Sequence, residues 1–251
     1  MHGFVGPEGV TEARPAFYAL APGGWRDYVT LLHPPYTAWH LSYVAIGACL
    51  APKLYEGRLA AALVAFFLAL GISAHALDEL NGRPLRTRIP DTVLLGLTIV
   101  PLLVAVVIGI AGAVAFDIWL LVFVAVGLAL VPVYNLELFG GAIHNAAGFA
   151  LAWGAFPLLT GYFACAGTIS WTALLAAGYA TLTSYAQRAL STPVRHVRRR
   201  VASVGGTIEL RDGGREPVTS ETLVAGPERA LLALAAANVA LAAALLVLRL
   251  A

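Results

Sequence analysis

The sequence predicts an all-α, polytopic integral membrane protein of about seven transmembrane helices. Of the 251 residues, 59% are hydrophobic and only 12% are charged, and the mean hydropathy is +0.79. A soluble domain carries about twice that charge, roughly 25%. The apolar runs leave no polar stretch longer than about 40 residues that could fold alone. Residues 1–251 are therefore expected to form a single transmembrane domain.

Seven apolar runs are candidates for helices that cross a bilayer, for which about 20 residues are needed. They cover residues 37–52, 59–77, 92–115, 118–136, 146–166, 169–189 and 229–250. The first run is short. We expect its helix to extend back through His33-Pro34-Pro35, because prolines are tolerated in the first turn of a helix.

Basic residues predict the orientation. Thirteen of the sixteen fall in the amino-terminal segment, the second loop, and the sixth loop with its edges, and only Lys53, Arg58 and Arg249 lie at the opposite ends. Because cytoplasmic loops carry the excess of Lys and Arg, the N-terminus is expected in the cytoplasm and the C-terminus outside. We expect the plasma membrane of a prokaryote. The net charge of +2 is too small to indicate a nucleic-acid partner.

The sixth loop, residues 190–228, is the longest polar segment and begins with the basic run RHVRRRV. Its position among the basic loops places it at the cytoplasmic surface. Within it, TIELRDGGREPVT has two polar runs around an Asp-Gly-Gly turn signal. This pattern indicates a small hairpin.

Ionisable side chains are costly to desolvate near a bilayer, so they typically mark a cavity, a proton relay or a ligand site. Here they collect at helix ends that the topology places on the cytoplasmic side. The set is His33, His40, His75, Asp78, Glu79, Glu137 and His144. His33 and His40 are almost two helical turns apart and share a face, and Asp78 and Glu79 follow His75 at i+3 and i+4. The sequence therefore predicts one shared functional site.

Two segments resemble the UbiA superfamily of intramembrane prenyltransferases. In AHALDELNGRPLRTRIPD, residues Ala74, His75 and Asp78 occupy the positions of the family's Asn-Asp-x-x-Asp motif, and Arg83-Pro84-Leu85 matches its downstream tripeptide. The stretch HNAAGFALAWGAFPLLTGY is similar to the family's fifth helix. The resemblance covers roughly residues 30–190 and implies a helical bundle around a lipid-open cavity with its catalytic loops facing the cytoplasm.

The chain departs from the family at the metal site. The family binds an isoprenyl diphosphate through Mg²⁺ held by two Asp-rich motifs, since Mg²⁺ prefers oxygen ligands. Here His75 replaces the first aspartate, and the second motif, expected within SYAQRALSTPVRHVRRR, contains no aspartate. The usual nine helices have also become seven.

One hypothesis is an enzyme that transfers or cyclises an isoprenoid or another lipophilic substrate. Its catalytic residues would be His75, Asp78 and Glu79, with the two carboxylates holding Mg²⁺ or another divalent ion. Arg83, Arg188 and Arg195 would bind the diphosphate, because guanidinium groups bind phosphate oxygens in pairs.

A second hypothesis is a membrane oxidoreductase on the same scaffold. A subset of the seven ionisable residues would bind Fe, Mn or Zn, since mixed imidazole and carboxylate ligands suit these metals. A third hypothesis is a non-catalytic protein that binds membrane lipid. All three have a lipid or isoprenoid as the partner.

Overall fold

The structure is a computed structural model that describes residues 14–251 and is dominated by long helices. The helices are α1 (Trp25–Leu31), α2 (Pro34–Leu50), α3 (Glu56–Leu80), α4 (Asp91–Ala115), α5 (Leu120–Asn135), α6 (Leu138–Gly141), α7 (Ala146–Ala166), α8 (Trp171–Arg200) and α9 (Ser220–Leu250). The single domain predicted from the sequence covers residues 1–251. Its residues 1–13, and with them the predicted position of the N-terminus, lie outside the described residues.

The seven long helices occupy the positions of the seven predicted apolar runs. Within residues 14–251, four of them (α3, α4, α7 and α9) are long and apolar enough to cross a membrane, and α5 is a shorter apolar helix. Helix α2 has only 17 residues, and the last turn of α8 carries three arginines. The described chain is therefore mostly helical, with four candidate membrane spans, which is consistent with an all-α integral membrane protein.

Side chains cap the helices that follow tight loops. The Asn145 side chain accepts a hydrogen bond from the Gly148 amide at the start of α7. Ser170 caps α8 in the same way, and Thr219 forms a reciprocal capping box with Thr222 at the start of α9. These bonds satisfy amides that have no partner inside the helix.

Helix α2 is the centre of the bundle and packs against α7, α8 and α9. Its Trp39 and Tyr43 are fully buried, together with Leu158 of α7. Two glycines let the α2 and α7 backbones touch: a Cβ on Gly47 would overlap the Leu158 carbonyl, and one on Gly161 would overlap the Val44 carbonyl. Small residues at such positions are typical of close membrane helix pairs, where van der Waals packing drives association.

The loops separate into two ends of different character. At one end, Arg249 donates to the carbonyls of Ala51 and Pro52, and the Arg58 guanidinium lies over the ring of Phe116, 3.4 Å from its centroid. At the other end lie the start of α2, residues 81–90 and 136–145, and the polar segment 201–219. We call the latter the polar end of the bundle.

The polar segment after α8 contains a two-stranded hairpin. Strand β1 (Thr207–Glu209) pairs antiparallel with β2 (Arg215–Pro217). The Leu210 amide donates to the Gly214 carbonyl across the turn. All six strand residues are exposed, so the hairpin is not part of the packed bundle.

We expect Gly47→Ala and Gly161→Ala each to destabilise the protein by roughly 1–3 kcal/mol, because the added methyl overlaps a backbone carbonyl that cannot move freely. Thermal unfolding in detergent measures this. Gly178→Ala in α8 is the control, since nothing lies within 4 Å of its Cβ position. Equal melting temperatures for all three variants would contradict the close α2–α7 contact.

Candidate functional site

A polar cavity of about 740 Å³ opens at the polar end. It is bounded by the starts of α2 and α7, the ends of α3, α5 and α8, and the amino-terminal residues 15–18. Nine of the ten predicted site residues line it: His33, His40, His75, Asp78, Arg83, Glu137, His144, Arg188 and Arg195. The structure thus brings predicted residues from four segments, 33–40, 75–83, 137–144 and 188–195, to one place.

Strained backbone surrounds this cavity. Among the described residues, His33, Arg83, Arg86 and Glu137 combine a side chain that lines the cavity with a positive φ, between 47° and 55°. Only Phe139 of the other non-glycine residues described shares that conformation. Left-handed backbone at non-glycine residues costs about 1–3 kcal/mol each and clusters at ligand sites. This strain supports a functional role for the cavity.

His33 and His75 stack face to face, with ring centroids 4.1 Å apart. The His33 Nδ1 shares a 2.5 Å hydrogen bond with the Tyr18 hydroxyl, while its buried Nε2 has no hydrogen-bond partner within residues 14–251. His75 follows a π-helical stretch, Phe67–Ala74, within α3. Such stretches recur at functional sites because they turn the following side chains out of the regular helical register.

Three histidines have their tautomer set by backbone carbonyls. Nδ1 of His40 lies 2.7 Å from the Trp153 carbonyl, Nδ1 of His75 lies 3.1 Å from that of Gly71, and Nδ1 of His144 lies 3.0 Å from that of Tyr134. A carbonyl only accepts, so each Nδ1 must be the donor. In the neutral ring, Nε2 then carries the lone pair.

Glu79 is the one predicted site residue that does not line the cavity. It is fully buried, and its carboxylate accepts hydrogen bonds from the amides of Leu85 and Thr87 and from the Thr87 hydroxyl, at 2.8–2.9 Å. These bonds use both oxygens. Glu79 therefore organises the loop 82–90 from beneath, while its neighbour Asp78 faces the cavity.

Arg83 reaches the cavity but is held by its own loop. Its guanidinium donates to the carbonyls of Thr87, at 3.3 Å, and Ile89, at 2.6 Å, and pairs with Asp91 at the start of α4. A phosphate would have to compete with these partners. The main effect of Arg83 is therefore to hold the shape of the loop 82–90.

Sequence reasoning missed several residues that line the cavity, namely Tyr18, Tyr36, Asn81, Arg86, Gln187, His196, Arg199 and Arg200. Arg199 had a detectable signal, because it follows Arg195 by one helical turn on the same face of α8. Tyr18 had none, since only folding brings the amino-terminal segment over the cavity.

The cavity is strongly cationic. Six arginines and two carboxylates, Asp78 and Glu137, line it, and one of the six, Arg83, is paired with Asp91 outside the cavity lining. Burial lowers the pKa of Arg195, and the nearby Arg188 and Arg199 lower it further. Burial also raises the pKa of Tyr18, so this hydroxyl stays neutral. The field in the cavity favours an anion.

Next to the polar cavity runs an apolar slot of about 240 Å³ between α3, α4, α5 and α7. On one face of α3, four small side chains leave room for this slot: Ala61, Ala62, Ala65 and Ala69. Arg58 lies at its far end, and Leu70 and Trp153 line both the slot and the polar cavity. The two spaces therefore share a wall made of these two side chains.

Among the described residues, no three His, Cys, Asp or Glu side chains are grouped so that they could hold a metal ion in this conformation. His144 and Glu137 come closest to a mixed pair, with Nε2 and Oε1 3.8 Å apart. A metal site would need movement of the cavity walls or ligands from the substrate.

Comparison of the chain with protein-family models, with curated proteins and with solved structures gave no match. The likeness to the UbiA superfamily stays a prediction that rests on its two sequence segments.

We expect Glu79→Ala to destabilise the polar end, because it leaves three buried donors without an acceptor, at a cost of roughly 3 kcal/mol. Limited proteolysis within residues 82–90 should become faster, and the melting temperature in detergent should fall. Glu216→Gln on the exposed hairpin is the control. A Glu79→Ala protein as stable and resistant as the wild type would contradict this role.

Proposed function

We propose that the chain is an intramembrane enzyme that binds an isoprenoid diphosphate, or a similar anionic amphiphile, and transfers or cyclises its lipophilic part. The observation that carries the proposal is the shared wall at Leu70 and Trp153, which places a cationic cavity directly beside an apolar slot. The head group would enter the cavity and the tail the slot. This division suits a substrate with one charged end and one apolar end.

We further propose that all seven long helices cross the membrane and that the polar end faces the cytoplasm. The excess of arginines at this end supports the orientation, because cytoplasmic loops retain basic residues. The C-terminus would then lie outside the cell, in the plasma membrane of a prokaryote. A substrate made in the cytoplasm would reach the cavity directly.

In the proposed reaction, the bond between the allylic carbon and the diphosphate oxygen breaks, and the diphosphate leaves with the electron pair. Tyr134 and Trp153 pack edge to face, with ring centroids 5.5 Å apart, and the ring of Trp153 in the shared wall would stabilise the allylic cation. An acceptor nucleophile, or a double bond of the same chain, then forms the new bond and a proton is lost. The apolar slot would exclude water from the cation.

Asp78 is the cavity residue best suited to a divalent ion in this reaction. It occupies an aspartate position of the family's motif and faces the cavity, whereas the Glu79 oxygens are already used. A single carboxylate with phosphate oxygens of the substrate matches how Mg²⁺ is commonly bound. Bound Mg²⁺ would neutralise charge on the departing diphosphate.

We expect the purified protein in nanodiscs to release inorganic diphosphate from farnesyl or geranylgeranyl diphosphate, detected together with the lipid product by mass spectrometry. Asp78→Asn and Trp153→Ala should each lower the rate at least tenfold, because one removes the ion ligand and the other the wall beside the cation. Glu216→Gln should retain the wild-type rate. Wild-type rates in both cavity variants would refute the proposed site. If the wild-type protein turns over neither substrate, lipid binding without catalysis becomes the better explanation.

The second candidate function is a His-ligated metal oxidoreductase acting on a membrane lipid. The specific observation that favours it is the common tautomer of His40, His75 and His144, whose Nδ1 atoms all face carbonyls. Metal-binding histidines usually donate their second nitrogen in this way. Nε2 atoms with free lone pairs would suit Fe, Mn or Zn.

Elemental analysis of the detergent-purified protein separates this candidate from the first. A transition-metal enzyme should contain close to one Fe, Mn or Zn per chain in the wild type and in Glu216→Gln, and much less in His75→Ala and His144→Ala. Equal metal content in all four proteins, at any level, would count against histidine ligation.

A further inference from the structure

Three arginines form a stripe along the cavity face of α8. Arg188, Arg195 and Arg199 are spaced by seven and four residues, which places them on one side of the helix. All three line the polar cavity. Arg198, on an adjacent face of the same helix, does not.

The stripe has no carboxylate partner among the described residues. The Arg188 guanidinium lies 5.6 Å from the centroid of the Phe149 ring, Arg195 donates to the Thr192 hydroxyl at 3.4 Å, and Arg199 donates to the Pro15 carbonyl at 3.4 Å. These are long, neutral contacts.

Arg198 shows what a paired arginine looks like in this protein. Its Nε and Nη2 donate to the two oxygens of Glu228, at 2.5 and 2.7 Å. This bidentate bond raises the pKa of Arg198, whereas burial and its like-charged neighbours lower the pKa of Arg195. Among residues 14–251, the three arginines of the stripe thus form no salt bridge, and Asp78 interacts with Arg195 and Arg199 only across a longer distance.

Buried polar atoms beside the stripe also lack partners. Among the described residues, three buried side-chain atoms have no hydrogen bond: Nε2 of His33, the Tyr134 hydroxyl and Oε1 of Gln187. All three residues line the polar cavity, and each is more than nine-tenths buried. Because buried polar atoms are nearly always paired, their clustering indicates that a polar ligand or its bound water supplies the partners.

We infer that the stripe Arg188, Arg195 and Arg199 binds a phosphate or diphosphate group without needing a divalent cation. Guanidinium groups bind phosphate oxygens through pairs of parallel hydrogen bonds and do not deprotonate. Arginines outnumber the two carboxylates that line this cavity, Asp78 and Glu137, even when Arg83 is set aside as the partner of Asp91, so the anion can bind before any Mg²⁺ that Asp78 would hold during the reaction. An anion of charge near −2 or −3 would relieve the repulsion within the stripe.

This inference deepens the proposed function, because the anion would be the head group of the proposed substrate. The same chemistry is offered by a free phosphate compound and by the head group of a membrane phospholipid. The site does not depend on which reaction follows binding, so it can be tested without turnover.

The experiment is calorimetric titration of the nanodisc-embedded full chain with inorganic pyrophosphate, in the presence of EDTA and separately with Mg²⁺. We expect saturable binding at one site under both conditions. Arg195→Gln and Arg199→Gln should weaken it at least tenfold, and Arg195→Lys should weaken it less than Arg195→Gln because the charge remains. Arg229→Gln, an exposed arginine on α9 whose side chain bonds within its own helix, should bind as the wild type does.

Thermal unfolding of each variant checks that the fold is retained. Arg195→Gln and Arg199→Gln relieve the repulsion between neighbouring arginines of the stripe, so they should be at least as stable as the wild type in the absence of ligand. Stabilisation of the wild type by pyrophosphate should be absent from both variants. Pyrophosphate binding that disappears in EDTA, or that survives unchanged in both variants, would overturn the inference.

Competition identifies the source of the anion. Displacement of pyrophosphate by farnesyl diphosphate, but not by nanodiscs containing phosphatidic acid, supports a soluble or prenyl diphosphate ligand. Displacement by phosphatidic acid supports a phospholipid head group. The arginine site stands in both cases. If neither displaces it while pyrophosphate binds, the site stands and the isoprenoid assignment fails. If prenyl diphosphates are turned over but pyrophosphate binds only with Mg²⁺, the proposed function stands and this inference fails.

Discussion

The constraint on which this structure depends is that the bilayer interior offers no water to pair polar groups. Backbone polar groups are satisfied by long helices, and ionisable side chains must be collected where protein or water can solvate them. The chain meets both demands by closing its helices around α2 and concentrating charge at one end. The polar cavity is the result: it is where the ends of α3, α5 and α8 and the starts of α2 and α7 meet.

One buried carboxylate gives that end its shape. Glu79 takes hydrogen bonds from Leu85 and Thr87, and this holds loop 82–90 against the end of α3. Arg83 reinforces the same loop through Asp91 and two carbonyls. Asp78 is then free to face the cavity. Two neighbouring acids thus have different environments: Glu79 is bonded inside the protein, and Asp78 lines the cavity.

The same geometry relates the two spaces of the molecule. Helix α3 carries small residues along the apolar slot, reaches the common wall at Leu70, and ends with His75 and Asp78 in the polar cavity. A single helix would therefore contact the whole length of the proposed amphiphile. Helix α8 contributes the cationic wall of the polar cavity through the arginines near its C-terminal end. The positions of charge and of apolar surface follow from these two helices.

The positions of the seven long helices were predictable from the sequence, because hydropathy acts along the chain and lipid tolerates only helical backbone here. So was the shared location of His33, His75, Asp78 and His144, since their helix ends alternate between the two sides. The different fates of Asp78 and Glu79 were not predictable, because residues adjacent in sequence point about 100° apart on a helix and the loop that binds one of them is seen only when folded. The placement of Tyr18 over His33 and of Arg199 beside the Pro15 carbonyl was likewise decided by tertiary contacts. The sequence by itself determined that the chain is apolar enough for a membrane, where its long helices lie and at which end charge collects, because these depend on local composition. The tertiary structure alone decided which charges of residues 14–251 form ion pairs with one another and which do not, because pairing depends on distances between segments far apart in the chain.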